Sequence, residues 1–318
     1  MEMSAGILDH PDLAHLHVLM DEQERIVSVH ATTGDGRCTA VGVTDGIGQV
    51  AKEALRVCPA PGSGRIAGSA GIGLWRVERY AATGGPALVL VRVHPVPDRL
   101  EDLGLNSATT RSLVELGAPG KRGLVLILGD MRAGKSTLSA ALLKQWVHAN
   151  GGMAFVWADP PEHELEGPLG SGCCVCVEIG QDGYTEAVVA ARRSRARYFY
   201  FAEARSDAAA AAIVQAGMAG PVCLTTAHGY GLIPGLIAFA AAAARVDPKA
   251  NEQLASALSA ALHVRIEPSG SSGRRTTLVV TEQLILGQGH GDTARSHIRS
   301  GNVGQLGNLV RSAIPRVA

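Results

Sequence analysis

The sequence predicts an α/β protein. Its main domain is a mostly parallel sheet with helices on both faces, and a smaller α/β domain precedes it. Three observations predict this fold. After about residue 118, short apolar runs alternate with segments of helical periodicity. Residues 124–128 are apolar at every position, as in a strand that is buried on both faces. Hydrophobic residues make up 46% of the 318 positions, which is enough for a large core.

The first 97 residues have the pattern of a small α/β domain. Apolar alternation and turn residues predict its elements, and the prolines at 95 and 97 cannot continue a central strand. Residues 98–117 are therefore predicted to be a linker and lead-in helix, with the helix at 107–116. The predicted elements of this domain are strands at 17–20, 25–30, 65–67, 74–81 and 87–94, a turn at 33–36 and a helix at 47–57.

Residues 118–318 are predicted to form the main domain. Strands and helices alternate along most of it, which is typical of a parallel sheet. A hairpin is predicted near residues 264–280, and a helical tail begins at about residue 292. The other predicted strands are 124–128, 153–158, 173–179, 198–201 and 222–226, and the predicted helices begin near 135 and span 184–193, 208–216, 238–245 and 253–262.

A phosphate-binding loop follows the strand at 124–128. The pattern G-x-x-x-x-G-K-[ST] is matched in full, and a helical pattern follows it. The glycines allow backbone N–H groups to point at phosphate oxygens, and the helix N-terminus attracts an anion. Lys135 is predicted to reach the β and γ phosphates, and Ser136 to place its hydroxyl on Mg²⁺. The loop comprises Gly129, Asp130, Met131, Arg132, Ala133, Gly134, Lys135 and Ser136.

Acidic residues and one histidine follow the next predicted strands, at the edge where open α/β sheets bind ligands. Asp159 and Glu162 can hold Mg²⁺ through water or orient an attacking water, or they are turn or cap carboxylates. Glu203 follows an apolar strand, as in a Walker B element, and is placed to polarise water against the γ-phosphate. His228 either senses that phosphate or is a surface residue.

Composition excludes several functions. The 29 basic and 29 acidic residues balance, and aromatic residues make up 4%, so no nucleic acid partner is expected. The chain shows neither a signal peptide pattern nor an apolar run near the ~20 residues that a bilayer requires. We therefore expect a soluble, intracellular protein. Cys173, Cys174 and Cys176 lack metal-site spacing and are expected in a buried strand, and the basic residues 192–197 are interpreted as a solvated face or as partners of a helix dipole.

In order and spacing, these motifs resemble those of the type II/type IV secretion ATPase superfamily, and within it the PilT-type pilus-retraction ATPases and their conjugation and Dot/Icm relatives. The likeness covers about residues 74–308, and residues 16–18 show a weaker likeness. The segments that carry it are the strand pair at 74–92, the linker at 103–105, the lead-in strand at 122–126, an Asp box at 158–162, a Walker B segment at 202–205 and a His box at 226–228.

The resemblance implies a RecA-like P-loop NTPase domain behind a PAS-like N-terminal domain, with ATP and Mg²⁺ as cofactors. It implies a hexameric motor that powers a type IV pilus, type II/IV secretion or conjugation machine. Such a motor binds an inner-membrane platform protein from the cytoplasmic side. Its nucleotide lies between the two domains, and hydrolysis drives their relative rotation.

The resemblance also implies a role for each matching residue. Glu203 is the catalytic base, Asp159 and Glu162 are the Asp-box acids, and His228 senses the γ-phosphate. Ser136 binds Mg²⁺ directly and Asp159 binds it through water. The remaining nucleotide contacts come from the loop through Thr137 and from Arg76, Arg92, Arg193 and Arg205.

Some positions depart from the family pattern. Residues 130–133 include an acidic and a basic residue where the family favours small and hydroxyl residues. Ala158 replaces an acidic residue, Ser206 replaces an Asp, and Pro221 replaces a His. These departures predict slow turnover. They also keep open the alternative that the protein is an accessory subunit that binds nucleotide with little hydrolysis. A DNA-moving enzyme shares the phosphate loop but lacks support from charge and aromatic content. The absence of a cysteine quartet argues against the extension-ATPase branch.

Overall fold

The computed structural model describes residues 7–10, 13–33, 36–66, 74–93, 95–158, 162–180, 183–269, 275–286 and 291–312. It divides into two compact units, Met1–Pro95 and Val96–Ala318. Residues 98–117 belong to the second unit. In the part of the chain that is described, no helix is both long enough and apolar enough to cross a membrane.

The first unit is an antiparallel sheet with an α-helix packed on it. Thr44 caps the helix by accepting a hydrogen bond from the N–H of Ile47 at 3.3 Å, and the apolar face of the helix joins the core of the sheet. The strands lie in the order β3-β2-β1-β6-β5-β4. The elements are β1 (Leu13–Met20), β2 (Ile26–Thr33), β3 (Cys38–Val41), α1 (Asp45–Val57), β4 (Gly62–Ile66), β5 (Leu74–Ala82) and β6 (Gly85–Val93), after a short 3-10 helix at Ile7–Asp9.

The second unit is built on a nine-stranded sheet in the order β15-β14-β13-β7-β12-β11-β8-β10-β9. Its elements are α2 (Ser107–Leu116), β7 (Gly123–Gly129), α3 (Lys135–Asn150), β8 (Gly152–Ala158), β9 (Gly167–Leu169), β10 (Gly172–Glu178), α4 (Tyr184–Ser194), β11 (Tyr198–Phe201), α5 (Asp207–Gly217), β12 (Val222–His228), α6 (Leu232–Val246), α7 (Ala250–Ala257), β13 (Leu258–Ser269), β14 (Arg275–Ile285), α8 (Gly291–Arg299) and β15 (Arg311–Ser312), with 3-10 helices at Leu100–Leu103 and Val303–Asn308.

The strands from β13 to β10 in this order are parallel to one another, and helices cover both faces of the sheet. In β7, Leu124, Leu126 and Leu128 belong to one core cluster with α5 and α6, whereas Val125 and Ile127 belong to a second cluster with α3. A strand that is apolar at every position is therefore needed here, because both of its faces are buried. The predicted fold class is confirmed.

Three sequence-based predictions of secondary structure need correction. The predicted helix at 253–262 ends at Ala257, and residues 258–262 open β13 instead, because Leu258 turns to extended backbone and the strand pairs with β7. The edge strands β3 and β9 were not predicted: β3 is largely exposed and β9 has only three residues, so neither has a clear apolar alternation. The predicted strand at 65–67 runs from Gly62 to Ile66, and Ala67 lies outside the described residues.

Candidate active site

Three strands of the large sheet bring the predicted site residues together. β7, β12 and β11 are adjacent and parallel, so their carboxyl ends meet at one edge. The phosphate loop follows β7, His228 ends β12, and Glu203 comes two residues after β11. Because β12 lies between the other two strands, His228 lies between the loop and Glu203.

The phosphate loop joins β7 to α3 through a tight turn. The N–H of Ala133 donates to the carbonyl of Asp130 at 3.2 Å, and Arg132 and Gly134 have φ of 59° and 83°. Glycine suits this left-handed backbone at Gly134, and a Cβ there would lie 2.4 Å from Leu278 Cδ1, so that side chain would have to shift. The side chains that depart from the family pattern point outward: Met131 is 78% exposed, and Asp130 and Arg132 are exposed too.

Lys135 lies at the start of α3 and is only 7% exposed. Its Nζ donates to the carbonyls of Gly129 at 3.0 Å and Asp130 at 2.7 Å. Burial lowers the pKa of Lys135, and the nearby charges of Glu203, Asp130 and Glu162 oppose that shift. The ammonium group is therefore poorly solvated and surrounded by acids, an environment in which phosphate oxygens can replace the two carbonyls as its partners.

His228 connects the lysine to the acid. Its Nδ1 lies 3.4 Å from Lys135 Nζ, and its Nε2 lies 2.8 Å from Glu203 Oε1. Lysine can only donate hydrogen bonds, so in the neutral imidazole Nδ1 accepts from Lys135 and Nε2 donates to Glu203. Lys135, His228 and Glu203 form one hydrogen-bonded chain, which we call the site triad.

The backbone around Glu203 is held by buried groups. The hydroxyl of Tyr184 donates to the Glu203 carbonyl at 2.6 Å, and the hydroxyl of Thr226 donates to the Ala202 carbonyl at 2.6 Å. The N–H of Ala204 donates to the Thr226 carbonyl at 2.9 Å. The short segment after β11 is thereby tied to both α4 and β12, so the carboxylate stands on a rigid base.

The second oxygen of Glu203 is bound by Arg205. Arg205 Nε lies 2.7 Å from Glu203 Oε2, so His228 and Arg205 together occupy both carboxylate oxygens. Glu162 lies close enough to act electrostatically on both Lys135 and Arg205. Of the predicted acids, Asp159 lies outside the described residues.

The residues near the loop suit Mg²⁺ bound together with nucleotide better than Mg²⁺ held by the protein alone. Ser136 and Thr137 lie half-buried in the first turn of α3 and supply hydroxyl oxygens. Within the described ranges no group of three or more His, Cys, Asp or Glu side chains could hold a metal. Mg²⁺ commonly takes one or two protein oxygens and completes its shell with water and phosphate.

Of the other predicted arginines, one lies away from the triad and two belong to the first unit. Arg193 lies exposed in the last turn of α4, which leads into the start of β11 and therefore lies toward the opposite edge of the sheet. Arg76 and Arg92 are in the first unit. Arg92 Nη1 donates to the carbonyls of Leu8 at 2.7 Å and His10 at 3.2 Å, and Arg76 Nε lies 3.6 Å from Glu78.

Sequence reasoning missed one histidine near the loop. His263 on β13 lies 2.6 Å from Thr281 Oγ1 through Nδ1 and 3.2 Å from the Gly229 carbonyl through Nε2. Gly229 follows His228 directly, and its N–H donates to the carbonyl of Gly129 at 3.3 Å. His263 thus holds the end of β12 against β7. It was missed because residues 253–262 were predicted to be a helix, which hid the strand that carries it.

Solved structures with this architecture include a pilus retraction motor and the ATPase DotB from two organisms. The pilus retraction motor PilT with bound ADP is 19% identical, has a TM-score of 0.70, and covers 95% of this chain and 87% of its own. The ATPase DotB of Legionella pneumophila is 16% identical, with a TM-score of 0.68 and coverage of 94% and 85%. The chain has the fold of PilT and DotB.

The ATPase DotB of Yersinia pseudotuberculosis shares this fold as well, at 16% identity, a TM-score of 0.65, and coverage of 92% of this chain and 80% of its own. No protein-family model matches the sequence, and no curated protein matches it either. The resemblance stated from the sequence motifs is therefore confirmed at the level of the fold.

Proposed function

We propose that this protein is a Mg²⁺-dependent ATPase that works as a homohexameric ring. In this proposal it powers a type IV pilus, type II/IV secretion or conjugation machine from the cytoplasmic face of the inner membrane. One observation carries the proposal: the site triad of Lys135, His228 and Glu203, which lies beside a complete phosphate loop. The shared fold with PilT and DotB supports the choice of motor.

Each residue of the triad has a distinct role in the proposal. Lys135 exchanges its two loop carbonyls for phosphate oxygens, and the free N–H groups in the first turn of α3 bind the same phosphates. Glu203 accepts a proton from the attacking water. His228 lies against both groups, so occupation of the loop by the γ-phosphate alters its hydrogen bonds to Lys135 and to Glu203.

When Mg²⁺ is bound, it neutralises charge on the phosphates. Ser136 would contact it directly, and Asp159 through water. Glu162 is proposed to act with Asp159 in orienting water. Arg205 remains beside Glu203, whereas Arg76 and Arg92 would approach the nucleotide across subunit contacts in the ring. Arg193, as the arginine ahead of Walker B, is a further proposed nucleotide contact. An inner-membrane platform protein is the proposed partner.

A second candidate is a nucleotide-binding accessory subunit of such a ring that hydrolyses little ATP. Both oxygens of Glu203 are engaged, by His228 and Arg205, so an attacking water would have to share the carboxylate with these two partners. The loop also carries a charge of each sign, at Asp130 and Arg132. Tight ATP binding with negligible turnover under ring-forming conditions would select this candidate.

Phosphate release measured over a range of protein concentrations tests the motor. With Mg²⁺ and ATP, the rate per subunit should climb as the ring assembles, and a Lys135→Ala variant should stay at background throughout. DNA should leave the rate unchanged, because no nucleic acid partner is proposed. A rate that is indistinguishable from Lys135→Ala at every concentration would contradict the enzyme, and DNA-stimulated hydrolysis would favour a DNA-moving enzyme.

A further inference from the structure

The large sheet has a second pocket, at the edge opposite the site triad. The pocket has a volume of about 390 Å³ and lies where β7, β11 and β12 begin. Seven residues of β7 separate it from the phosphate loop, a distance of roughly 20 Å at about 3.3 Å per residue. It is therefore a separate site, which we call the basic pocket. Its lining includes Gly120, Lys121, Arg192, Arg195, Arg197 and Gly220.

Positive charge is concentrated at the basic pocket. Lys121 precedes β7, Arg192 lies at the end of α4, and Arg195 and Arg197 lie between α4 and β11. Among the residues that the structure describes, no aspartate or glutamate lines the pocket. Lys121 pairs with an acid outside the pocket, since its Nζ lies 3.1 Å from the exposed carboxylate of Glu115. In a chain with no net charge, this is a strong local excess of cations.

The guanidinium of Arg197 is fixed in place. Its Nη1 and Nη2 donate to the carbonyls of Asn150 at 3.2 Å and Gly117 at 3.4 Å, and its Cζ lies 5.2 Å from the centre of the Tyr198 ring. These two bonds use two of the five N–H donors of the guanidinium. An anion that binds here meets a donor group that is already ordered, which lowers the entropy cost of binding.

Arg195 occupies a position where glycine is the usual residue. It ends α4 in the left-handed region with φ of 53°. Cations near a helix C-terminus interact favourably with the helix dipole, which accounts for Arg192 and Arg195 on their own. The helix dipole does not account for Lys121 and Arg197, which come from other segments and line the same cavity. Convergence on one pocket is what points to a ligand.

We propose that the basic pocket binds a small anion with two or more phosphate groups. Guanidinium groups match phosphate oxygens with two parallel hydrogen bonds, and several are available within one cavity. The volume falls within the range of about 300–1,000 Å³ that is typical of small-molecule sites. Gly120 and Gly220 leave open space where a side chain would stand, since no heavy atom lies within 4 Å of a Cβ built on either. A ligand can therefore approach the backbone closely.

Calorimetric titration with inorganic pyrophosphate tests the proposal. The parent protein for the titration is Lys135→Ala, in which the phosphate loop is disabled, so the result does not depend on the proposed ATPase. Pyrophosphate should bind the parent, and adding Arg195→Gly should weaken binding about tenfold or more, as should adding Arg192→Gln. Arg195→Gly suits the backbone at that position and should not lower the melting temperature, so lost binding cannot be ascribed to unfolding.

Two controls make the test specific. Adding Arg111→Ala removes an exposed arginine of the same unit that does not line the pocket, and it should leave the affinity for pyrophosphate unchanged. Succinate, which carries carboxylates only, should bind at least tenfold more weakly than pyrophosphate. The proposal is overturned if the parent does not bind pyrophosphate, if Arg195→Gly and Arg192→Gln bind it as tightly as the parent, or if succinate binds equally well.

Discussion

Two adjacent threonines of β12 allow the support of Glu203 to be tested by nearly isosteric substitutions. Thr226 is 1% exposed, and its hydroxyl donates to the Ala202 carbonyl at 2.6 Å. Thr225 is 0% exposed, and its hydroxyl has no hydrogen-bond partner among the residues that the structure describes. Replacing each threonine with valine keeps the volume and removes only the hydroxyl.

The two substitutions should have different effects on the stability of the protein. Thr226→Val leaves a buried carbonyl without its partner, which costs about 1–3 kcal/mol. In a unit of this size that corresponds to a fall of about 2–12 °C in melting temperature, at about 2–4 °C per kcal/mol. Thr225→Val removes a buried hydroxyl that is already unpaired, so its stability should be unchanged or higher. Only Thr226→Val should also lower the rate of ATP hydrolysis, because Ala202 precedes Glu203.

Urea unfolding of both variants beside the natural protein gives the comparison. The denaturant midpoint should fall for Thr226→Val with an unchanged slope, and it should hold or rise for Thr225→Val. If Thr225→Val is the less stable variant, or if both lose the same free energy of unfolding, the hydrogen bond from Thr226 to Ala202 does not support this segment as described.

Three further outcomes are expected. In the native protein, thiol reagents should label the exposed Cys38 and spare the buried Cys223, because burial raises the pKa of the Cys223 thiol. Mass spectrometry should show that denaturant removes this difference. Early labelling of Cys223 would contradict its burial. Gly117→Ala should cost about 1–3 kcal/mol in urea unfolding, because its Cβ would lie 2.2 Å from the buried Trp146 ring; unchanged stability would contradict this packing. Lys135→Ala should lose binding of a fluorescent ATP analogue, and retained affinity would remove the loop from the site.

Local sequence signals predicted which functional residues follow the ends of strands. They did not predict which strands lie next to one another in the sheet. The phosphate loop, Glu203 and His228 each follow a run of apolar residues, and such runs are visible in the sequence because strands buried on both faces need them. That β12 lies between β7 and β11 is a property of the sheet, and no residue pattern states it. The contact of His228 with both Lys135 and Glu203 therefore emerges only in the structure.

The errors have a physical cause as well. Residues 258–262 have a composition that suits a helix, but tertiary pairing with β7 and β14 makes them a strand. The interpretation of the arginines at 192–197 as a solvated face agrees with the structure, in which Arg192, Arg193 and Arg195 are exposed. Their pocket is formed with Lys121, which lies more than 70 positions earlier in the sequence, so only folding shows the cluster.

The Glu203→Gln variant tests the central claim most directly. The substitution keeps the size of the side chain and removes its ability to accept a proton. Single-turnover hydrolysis of ATP with Mg²⁺ should slow by about 10²–10⁴-fold, while the affinity for ATP stays within a few-fold of the natural protein. Unchanged hydrolysis in Glu203→Gln would contradict the assignment of Glu203 as the base at the site triad.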